Sequence, residues 1–591
     1  MTIWLQNDDT VFAAFLSRRG FVTVMSIVSP LSRLRGASAP RRLWPSVVLT
    51  IALNVWVLIR LFQTEFGWFG QGICLLTWIL LNCVFLLMVR RAALAAALSL
   101  AILELLILVS QFKFKITWMT ATFLDVMVID PDSLSFLLSV MPGLRLATCV
   151  AVLAGLALAI LLWTFDRTRI PRIASAVVGC VSLVAIVGLS NEIPEEPHEP
   201  FQGVNHVSNF ARSMVVSLSE LSSSGWLDFD RAVASRLKPL PADDDCKPEG
   251  KRPHIIMVLD ESSFDIRRAP GVNVPDGYGR HFASADGKSR ILITEAAGGP
   301  TWYTEYNVLT GLSTRSFGRM SFYVTRLAAG RIKRGLPQAL RRCGYRTFTL
   351  YPAYGAFLSA RRFQKSAGID RMIDAHEMGA GDVEPDSFYF DKALKLFAKE
   401  RGDDPLFMFV YTAANHFPWT NRYRPDLTPD WKPLNADAET DEYVRRQAIS
   451  ARDYKAFVEK LKRTYPDESF LIVRFGDHPP SIAPRLLEPK MTDAQIAEHI
   501  MERDPRFFSA YYAIDTINFT PVDLSSARDA LDAPYLPLVV QEAAGLPLDS
   551  TFAEQKRILE RCEGLFYRCK DGAEARRFNR LLVDSGVIQG F

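Results

Sequence analysis

Five apolar stretches in the first third of the chain constrain its fold more than any other feature. They lie at 43–63, 71–89, 92–111, 145–165 and 173–190 of the 591-residue sequence. Crossing a bilayer core takes roughly 20 helical residues. Burying five such helices in a soluble core is the alternative interpretation, but helices with so little internal charge are hard to place in a water-soluble domain. We therefore predict a transmembrane domain of five helices.

The arginine distribution predicts an orientation for these helices. Cytoplasmic loops carry an excess of Lys and Arg, whereas the loop TEFGWFG has neither and the loop after the third stretch has only three basic residues. The alternate segments hold Arg18, Arg19, Arg33, Arg35, Arg41, Arg42, Arg90, Arg91, Arg167, Arg169 and Arg172. This pattern predicts a cytoplasmic N-terminus and an extracytoplasmic chain after residue 190. In a bacterium, the protein would be a multi-pass inner (cytoplasmic) membrane protein with a periplasmic catalytic domain.

Three further features of the membrane half invite interpretation. Ser17–Phe21 is similar to the start of a twin-arginine export motif, but Arg33 and Arg35 interrupt the following apolar stretch, so we interpret its arginines as orientation signals. Glu104 lies in the middle of a span, where a carboxylate is costly; a functional role and a paired or protonated side chain both remain open. Segment 112–142 could form a lipid entrance at the outer interface or a packed loop.

Composition excludes several classes of protein. Hydrophobic residues make up 49% of the chain, too many for a disordered one. The formal charge of +4, from 68 Lys+Arg and 64 Asp+Glu, does not indicate a basic nucleic-acid surface. The eight cysteines form no CxxC motif, which argues against zinc fingers and thioredoxin-like sites.

Composition changes after residue 190. The acidic, proline-rich NEIPEEPHEP predicts an extended linker, and VSNFARSMVVSLSELSSSGWLDF has the apolar spacing of a helix at the membrane surface. We predict four regions: a cytoplasmic N-terminal segment (1–42), the transmembrane domain (43–190), a periplasmic linker with an interfacial helix (191–250) and a catalytic domain (251–591).

The sequence of the last region predicts strands that alternate with helices. Short apolar runs typical of buried strands occur at 254–261, 345–352, 406–413 and 470–478. Helical patterns lie between them, for example GRIKRGLPQALRRCG and DSFYFDKALKLFAKERG. Such alternation predicts an α/β layered domain with helices on both sides of a mostly parallel sheet.

Polar residues follow three of these four runs. Asp260 and Glu261 end the first, His416 follows the third, and Asp477 and His478 end the fourth. Ligands in such folds bind beyond the carboxyl ends of the strands. A mixed set of oxygen and nitrogen donors suits a divalent cation such as Zn²⁺ or Mn²⁺.

The segment from Gly298 to Leu312, GGPTWYTEYNVLTGL, predicts a tight turn followed by a helix that begins at Thr301. A hydroxyl at a helix N-terminus sits where free N–H groups favour an anion, so Thr301 could attack phosphorus if a metal lowers its pKa. The alternative is that Thr301 only caps the helix. The local sequence leaves both readings open.

Taken together, these motifs resemble a known family. The chain is similar to membrane-anchored members of the alkaline-phosphatase and sulfatase superfamily, which include lipoteichoic acid synthases, phosphoglycerol transferases and, more distantly, lipid A phosphoethanolamine transferases. The matching segments are Leu259–Ser262, Thr301 with Glu305 and Leu309–Gly311, Asn415–Pro418, and Gly476–His478. The resemblance implies an alkaline-phosphatase-like α/β/α sandwich with Thr301 as nucleophile. It implies a metal site at Glu261, Thr301, Asp477 and His478.

The resemblance also implies substrate contacts. His416 is expected to touch the substrate or assist proton transfer, and Arg361, Trp302 and Glu305 are assigned to substrate binding. Arg361 is displaced by about one position from the family's arginine, and Leu358 stands where an aromatic residue is expected, so this segment does not identify the head group. True sulfatases need a Cys or Ser nucleophile followed by Pro and Arg two and four positions later. Here the corresponding residue is Thr301, and neither Pro nor Arg follows it at those positions.

The implied activity is transfer of a phosphorylated head group, phosphoglycerol rather than phosphoethanolamine, through a phospho-threonine intermediate. The implied donor is a membrane phospholipid and the implied acceptor a glycan or glycolipid. One divalent ion, Mn²⁺ or Zn²⁺ with Mg²⁺ as the alternative, would serve as cofactor. We expect a monomer with no nucleic-acid partner. A membrane-tethered phosphodiesterase, phosphatase or sulfatase-like hydrolase is the alternative, and a non-catalytic scaffold is a further one.

Four cysteines lie outside the membrane region, at Cys246, Cys343, Cys562 and Cys569. Disulfides are permitted there. If RILERCEGLFYRCKDG is one helix, however, Cys562 and Cys569 are about 10 Å apart along its axis, too far to pair.

Overall fold

The computed structural model describes residues 44–117, 119–129, 131–132, 143–193, 199–223, 225–228, 246, 252–381 and 383–590. The expectations for the N-terminal segment, including its orientation signals, lie outside these residues. The chain divides into two compact units: one holds the residues up to Phe123 and Thr148–Val216, and the other holds Leu124–Ala147 and Ser217–Phe591.

The first unit contains the long apolar helices. The helices up to residue 223 are α1 (Trp44–Thr64), α2 (Gly67–Val89), α3 (Ala92–Thr117), α4 (Phe123–Met127), α5 (Leu144–Phe165), α6 (Arg172–Glu192) and α7 (His206–Ser223). Five of them, α1, α2, α3, α5 and α6, are long and apolar enough to cross a membrane. Within the described residues, the predicted count of five is confirmed. Helix α3 continues beyond residue 111, where the apolar run ends, because basic residues such as Lys115 are favourable near a helix C-terminus.

Glu104 is paired rather than isolated. Its Oε1 accepts hydrogen bonds from Arg60 Nε and Trp56 Nε1 of α1, each at 2.9 Å. Of the two interpretations left open for this residue, the structure shows the paired side chain. The predicted helix in segment 191–250 is present as α7, and its N-terminus is fixed by Glu65, whose carboxylate accepts from the Val207 and Ser208 backbone N–H groups.

The second unit is an α/β domain. Its helices are α8 (Thr301–Thr310), α9 (Val324–Ala328), α10 (Leu336–Arg342), α11 (Ala360–Ser366), α12 (Ala375–Met378), α13 (Asp386–Glu400), α14 (Ala438–Thr464), α15 (Ala483–Leu487), α16 (Asp493–Met501), α17 (Leu536–Ala543), α18 (Ser550–Arg561) and α19 (Ala573–Asp584). Its strands are β1 (His254–Asp260), β2 (Arg290–Ile293), β3 (Arg346–Leu350), β4 (Arg371–Ile373), β5 (Leu406–Tyr411), β6 (Phe470–Gly476), β7 (Ser509–Ile517) and β8 (Ala530–Asp532). The predicted fold class is confirmed.

The strands form one sheet in the order β4-β3-β5-β1-β6-β7-β2-β8. Every neighbouring pair is parallel except those made by β7, which runs antiparallel to both β6 and β2. On one face, Ile256 and Val258 of β1 pack with α13 and α14 in a common core. Ile255 and Met257, which point the other way, are also fully buried, so both faces of β1 are covered.

The expectation about Cys562 and Cys569 is wrong: the two form a disulfide. Helix α18 ends at Arg561, and the backbone then turns through Glu563 and Gly564, which both have positive φ. The two cysteines are therefore not on one helix, and their Cα atoms lie 5.6 Å apart. A second disulfide joins Cys246 to Cys343.

Candidate active site

Strand register brings three predicted metal ligands together. In the parallel pair of β1 and β6, Asp260 lies opposite Gly476, so the next residues, Glu261 and Asp477, leave the sheet side by side. Glu261, Asp477 and His478 each offer a ligand atom, and these atoms all lie within 4.8 Å of one another. All three residues are buried.

Hydrogen bonds aim the ligand atoms of Asp477 and His478 at a common point. Asp477 Oδ1 accepts from the backbone N–H groups of Ser262 and His478, at 2.7 and 2.9 Å, which leaves Oδ2 for another partner. His478 Nδ1 donates to the Pro479 carbonyl at 2.9 Å, so Nε2 carries the lone pair. Oδ2 and Nε2 have no hydrogen-bond partner among the described residues, although they lie 3.2 Å apart. The donor set fits a divalent cation.

The electrostatics of the cluster also favour a bound divalent cation. Burial, reinforced by the Asp477 carboxylate, raises the pKa of Glu261 to about 8. Burial also raises the pKa of Asp477. Two carboxylates buried without a cation are costly, and a bound divalent ion would remove that cost.

Helix α8 places Thr301 against this cluster. Pro300 is the N-cap and makes no side-chain cap hydrogen bond, and the Thr301 hydroxyl points at Glu261 Oε2, 3.5 Å away. One turn later, the Thr304 hydroxyl donates to the Asp477 carbonyl at 2.5 Å. Thr301 therefore does not act as the helix cap, the alternative left open by its sequence. Its hydroxyl lies at a helix N-terminus beside the candidate metal ligands.

The turn before α8 depends on one glycine, and this gives a test of the geometry. Gly298 has φ +71°, and a Cβ atom there would lie 2.6 Å from Ser481 Cα. We expect Gly298→Ala to destabilise the protein by about 2 kcal/mol or more, because strain and collision add. Thermal unfolding of the full chain in detergent measures this. Gly299→Ala is the matched control, since its Cβ would meet no atom within 4 Å; equal losses would contradict the assigned constraint.

His416 lies on the loop after β5 and is partly exposed. Its Nδ1 donates to the Phe417 carbonyl at 2.8 Å, which leaves the Nε2 lone pair available. Arg446 of α14 holds this loop by donating to the carbonyls of His416, Pro418 and Asn421 at 2.7 to 3.0 Å. Burial lowers the pKa of His416, so the imidazole is neutral at pH 7 and able to accept a proton.

The three other predicted contact residues have partners within the domain. Arg361 donates to Asp374 and Glu377, each at 2.7 Å. Glu305 is only 1% exposed and accepts from Gln364 at 2.8 Å. Trp302 donates to the Phe322 carbonyl at 2.8 Å and packs edge-on against the rings of Phe322 and Phe357. Their assignment to substrate binding stays a prediction.

One network beside the site was not anticipated. Asp260 turns away from the Glu261 cluster, and its Oδ2 accepts from His281 Nε2 at 2.8 Å and from the Tyr511 hydroxyl at 2.7 Å. Arg474 of β6 donates to the His281 carbonyl at 2.7 Å. The position of Asp260 at a strand end was the sequence signal, but His281 and Tyr511 come from distant segments with no motif of their own.

A mostly parallel α/β sheet with a buried Glu-Asp-His cluster and a helix-terminal hydroxyl at its carboxyl edge is typical of metal-dependent hydrolases and transferases. Residues 278–507 match the sequence profile of the sulfatase family. The predicted resemblance to that superfamily is confirmed. No curated protein is significantly similar in sequence to the chain.

Solved structures similar to the chain include three transferases or synthases. The phosphoglycerol transferase GacH of Streptococcus pyogenes, in complex with sn-glycerol-1-phosphate, is 17% identical; the match covers 58% of this chain and 87% of that one, with a TM-score of 0.44. The lipoteichoic acid synthase LtaP of Listeria monocytogenes is 16% identical over 51% and 73% of the chains, with a TM-score of 0.39. The lipooligosaccharide phosphoethanolamine transferase EptA of Neisseria meningitidis is 12% identical over 85% and 94%, with a TM-score of 0.40.

Proposed function

We propose that the protein transfers a phosphorylated head group from a membrane phospholipid to a hydroxyl of a periplasmic or cell-surface glycan or glycolipid. The observation that carries the proposal is the Thr301 hydroxyl, at the N-terminus of α8 and 3.5 Å from Glu261. The same chain carries five helices long and apolar enough to cross a membrane, which supports a lipid donor. The Thr301 segment resembles the lipoteichoic acid synthase branch, so we propose phosphoglycerol over phosphoethanolamine.

The first half-reaction uses Thr301 as nucleophile. Its oxygen forms a bond to the phosphorus of the lipid phosphodiester, the bond from phosphorus to the diacylglycerol oxygen breaks, and the hydroxyl proton ends on the departing diacylglycerol. In the second half-reaction an acceptor hydroxyl attacks the phospho-threonine, and Thr301 leaves with a proton. His416, neutral with Nε2 unprotonated, accepts the proton from the acceptor hydroxyl.

The metal requirement rests on the residues described above. Glu261, Asp477 and His478, together with the Thr301 oxygen, would hold one divalent ion, Mn²⁺ or Zn²⁺ with Mg²⁺ as the alternative. Such an ion supplies Lewis acidity, which favours an ionised hydroxyl and stabilises charge on phosphoryl oxygens. The free N–H groups at the start of α8 add favourable interactions with the same oxygens.

Intact-mass analysis of the purified full chain tests the proposal. After exposure to phosphatidylglycerol or phosphatidylethanolamine, an adduct on Thr301 should appear, and its mass identifies the head group. Product analysis with and without a glycan acceptor then separates transfer from hydrolysis. Release of the head group to water at the same rate in both conditions would overturn the transferase assignment in favour of a phosphodiesterase.

The pH dependence of transfer tests the role of His416. Because burial lowers its pKa below the usual 6.5, His416 stays neutral and active as a base down to pH 6.5 and becomes protonated only below it. We expect the acid limb of the rate profile below pH 6.5, and we expect His416→Gln to lower the rate roughly 10² to 10⁴-fold. A limb that stays unchanged in the His416→Gln protein would show that another group titrates.

A further inference from the structure

Three arginines converge on a small cavity beside the nucleophile helix. Arg315, Arg503 and Arg568 line a cavity of about 30 Å³ that opens to the surface. Among the described residues no ion pair joins any of the three to a carboxylate, and Arg503 donates instead to the backbone carbonyl of Glu295 at 2.8 Å. Arg315 stacks on the Tyr567 ring, 4.2 Å from its centroid, and Arg503 stacks on Phe508. Aromatic faces and backbone thus hold Arg315 and Arg503 without a direct ion pair.

The two acidic residues of the cavity compensate the three cations only in part. Glu295 is saturated by Asn307 Nδ2 at 2.8 Å, by the backbone N–H and the hydroxyl of Thr314, both at 2.7 Å, and by the Ser313 hydroxyl. Asp532 accepts from the Phe566 N–H through Oδ2, while its buried Oδ1 has no hydrogen-bond partner among the described residues. Burial raises the pKa of Asp532 to about 7, so near neutral pH much of it is protonated and able to donate from Oδ1.

The cations also repel one another. Burial lowers the pKa of Arg315, the Glu295 carboxylate raises it, and the nearby Arg503 lowers it again. Arg315 and Arg503 are both half-buried, and like charges held together there are costly. An anion between them would reduce that cost. Guanidinium groups bind planar pairs of phosphate oxygens through paired N–H donors.

We propose that this cavity is a second anion-binding site, specific for a phosphate-type oxyanion and separate from the Thr301 centre. Asn307, whose amide contacts the cavity residue Glu295, lies six residues after Thr301 on α8, or about 9 Å along the helix. That separation is too large for one phosphate to reach both places. The ligand is either free phosphate or the phosphate of a larger ester, and the inference does not depend on the identity of the lipid donor.

The test is phosphate binding to full-length protein in detergent, with the Glu261→Gln variant treated with EDTA so that the Thr301 centre holds no metal. At constant ionic strength, calorimetric titration should show saturable binding of inorganic phosphate with one site per chain. Arg315→Gln and Arg568→Gln, each added to this background, should weaken binding at least tenfold. Arg485→Gln is the matched control, since Arg485 is exposed and pairs with Asp493 outside the cavity.

Thermal unfolding of the same variants distinguishes a binding role of the arginines from a structural one. Without phosphate, Arg315→Gln and Arg568→Gln should leave the unfolding temperature unchanged or raised, because each removes an unpaired cation; a marked loss would indicate that the arginines are structural and would overturn the proposal. Absence of saturable binding, or equal binding in all variants, would also overturn it. Titration with sn-glycerol phosphate distinguishes the sources: tighter binding than inorganic phosphate identifies an ester as the ligand, and equal binding identifies free phosphate.

Discussion

Thr301→Ala is expected to abolish head-group transfer while leaving the domain folded. The hydroxyl is the atom that forms the covalent intermediate, and removing a covalent nucleophile lowers a rate by roughly 10³-fold or more. Stability should change little, because Thr301 is not the N-cap residue of α8 and the hydrogen bond from its hydroxyl to Glu261 is long, at 3.5 Å. Transfer assays with phosphatidylglycerol, together with thermal unfolding, measure both quantities.

Thr301→Ser is the matched control for this variant. Serine keeps the hydroxyl at the N-terminus of α8, so the phospho-adduct should still form, at a reduced rate. Full activity in Thr301→Ala would eliminate the proposed mechanism. Loss of activity in both variants with an unfolded domain would instead show that the position is needed for folding.

Glu261→Gln should abolish metal binding and, in the absence of metal, should make the protein more stable. The pKa of Glu261 is raised from 4.5 to about 8, so between those pH values the folded state binds more protons than the unfolded state. The metal-free wild type therefore loses stability as pH rises from 4.5 to 8, on the order of a few kcal/mol by pH 7. Glutamine removes this loss because it carries no charge.

Elemental analysis and unfolding curves with and without EDTA check this result. In the wild type, a saturating divalent ion should raise stability by about 2.7 kcal/mol at a hundred times its Kd, and Glu261→Gln should show no such rise. Glu305→Gln is the matched control: its carboxyl is also buried, with a pKa raised to about 7, but lies outside the ligand cluster. Metal retained by Glu261→Gln, or lost by Glu305→Gln, would contradict the assigned site.

The parts of the fold that could be predicted are those with unbroken apolar patterns. The membrane helices and strands β1 and β5 are almost continuous apolar runs, and β6 is interrupted only by Arg474. Strand β3 alternates threonine with Phe348 and Leu350, and all but its first residue are buried. Strands β2, β4 and β8 have only three or four residues, too few for a periodic signal. Strand β7 mixes polar and apolar residues because part of it is only half-buried.

The same distinction applies to the candidate site, where the sequence predicts the position of some residues and not of others. Glu261, Asp477 and His478 directly follow predicted strands, so parallel pairing alone places them together. The partners of Arg361 could not be predicted, because Asp374 and Glu377 form a capping box at α12, which follows the three-residue strand β4. Spacing alone also does not show which side of α8 Glu305 faces. In the structure its carboxylate accepts a hydrogen bond from Gln364 inside the domain.

The disulfide between Cys562 and Cys569 closes a short loop that carries Phe566, Tyr567 and Arg568. Phe566 donates to Asp532, and the next two residues form one wall of the arginine-lined cavity. The shape of that wall thus depends on a covalent bond that persists only in oxidising surroundings. A chain whose thiols are still reduced would have the Thr301 centre without this crosslink. The crosslinked wall of the proposed second anion site is therefore present only after the Cys562–Cys569 disulfide has formed.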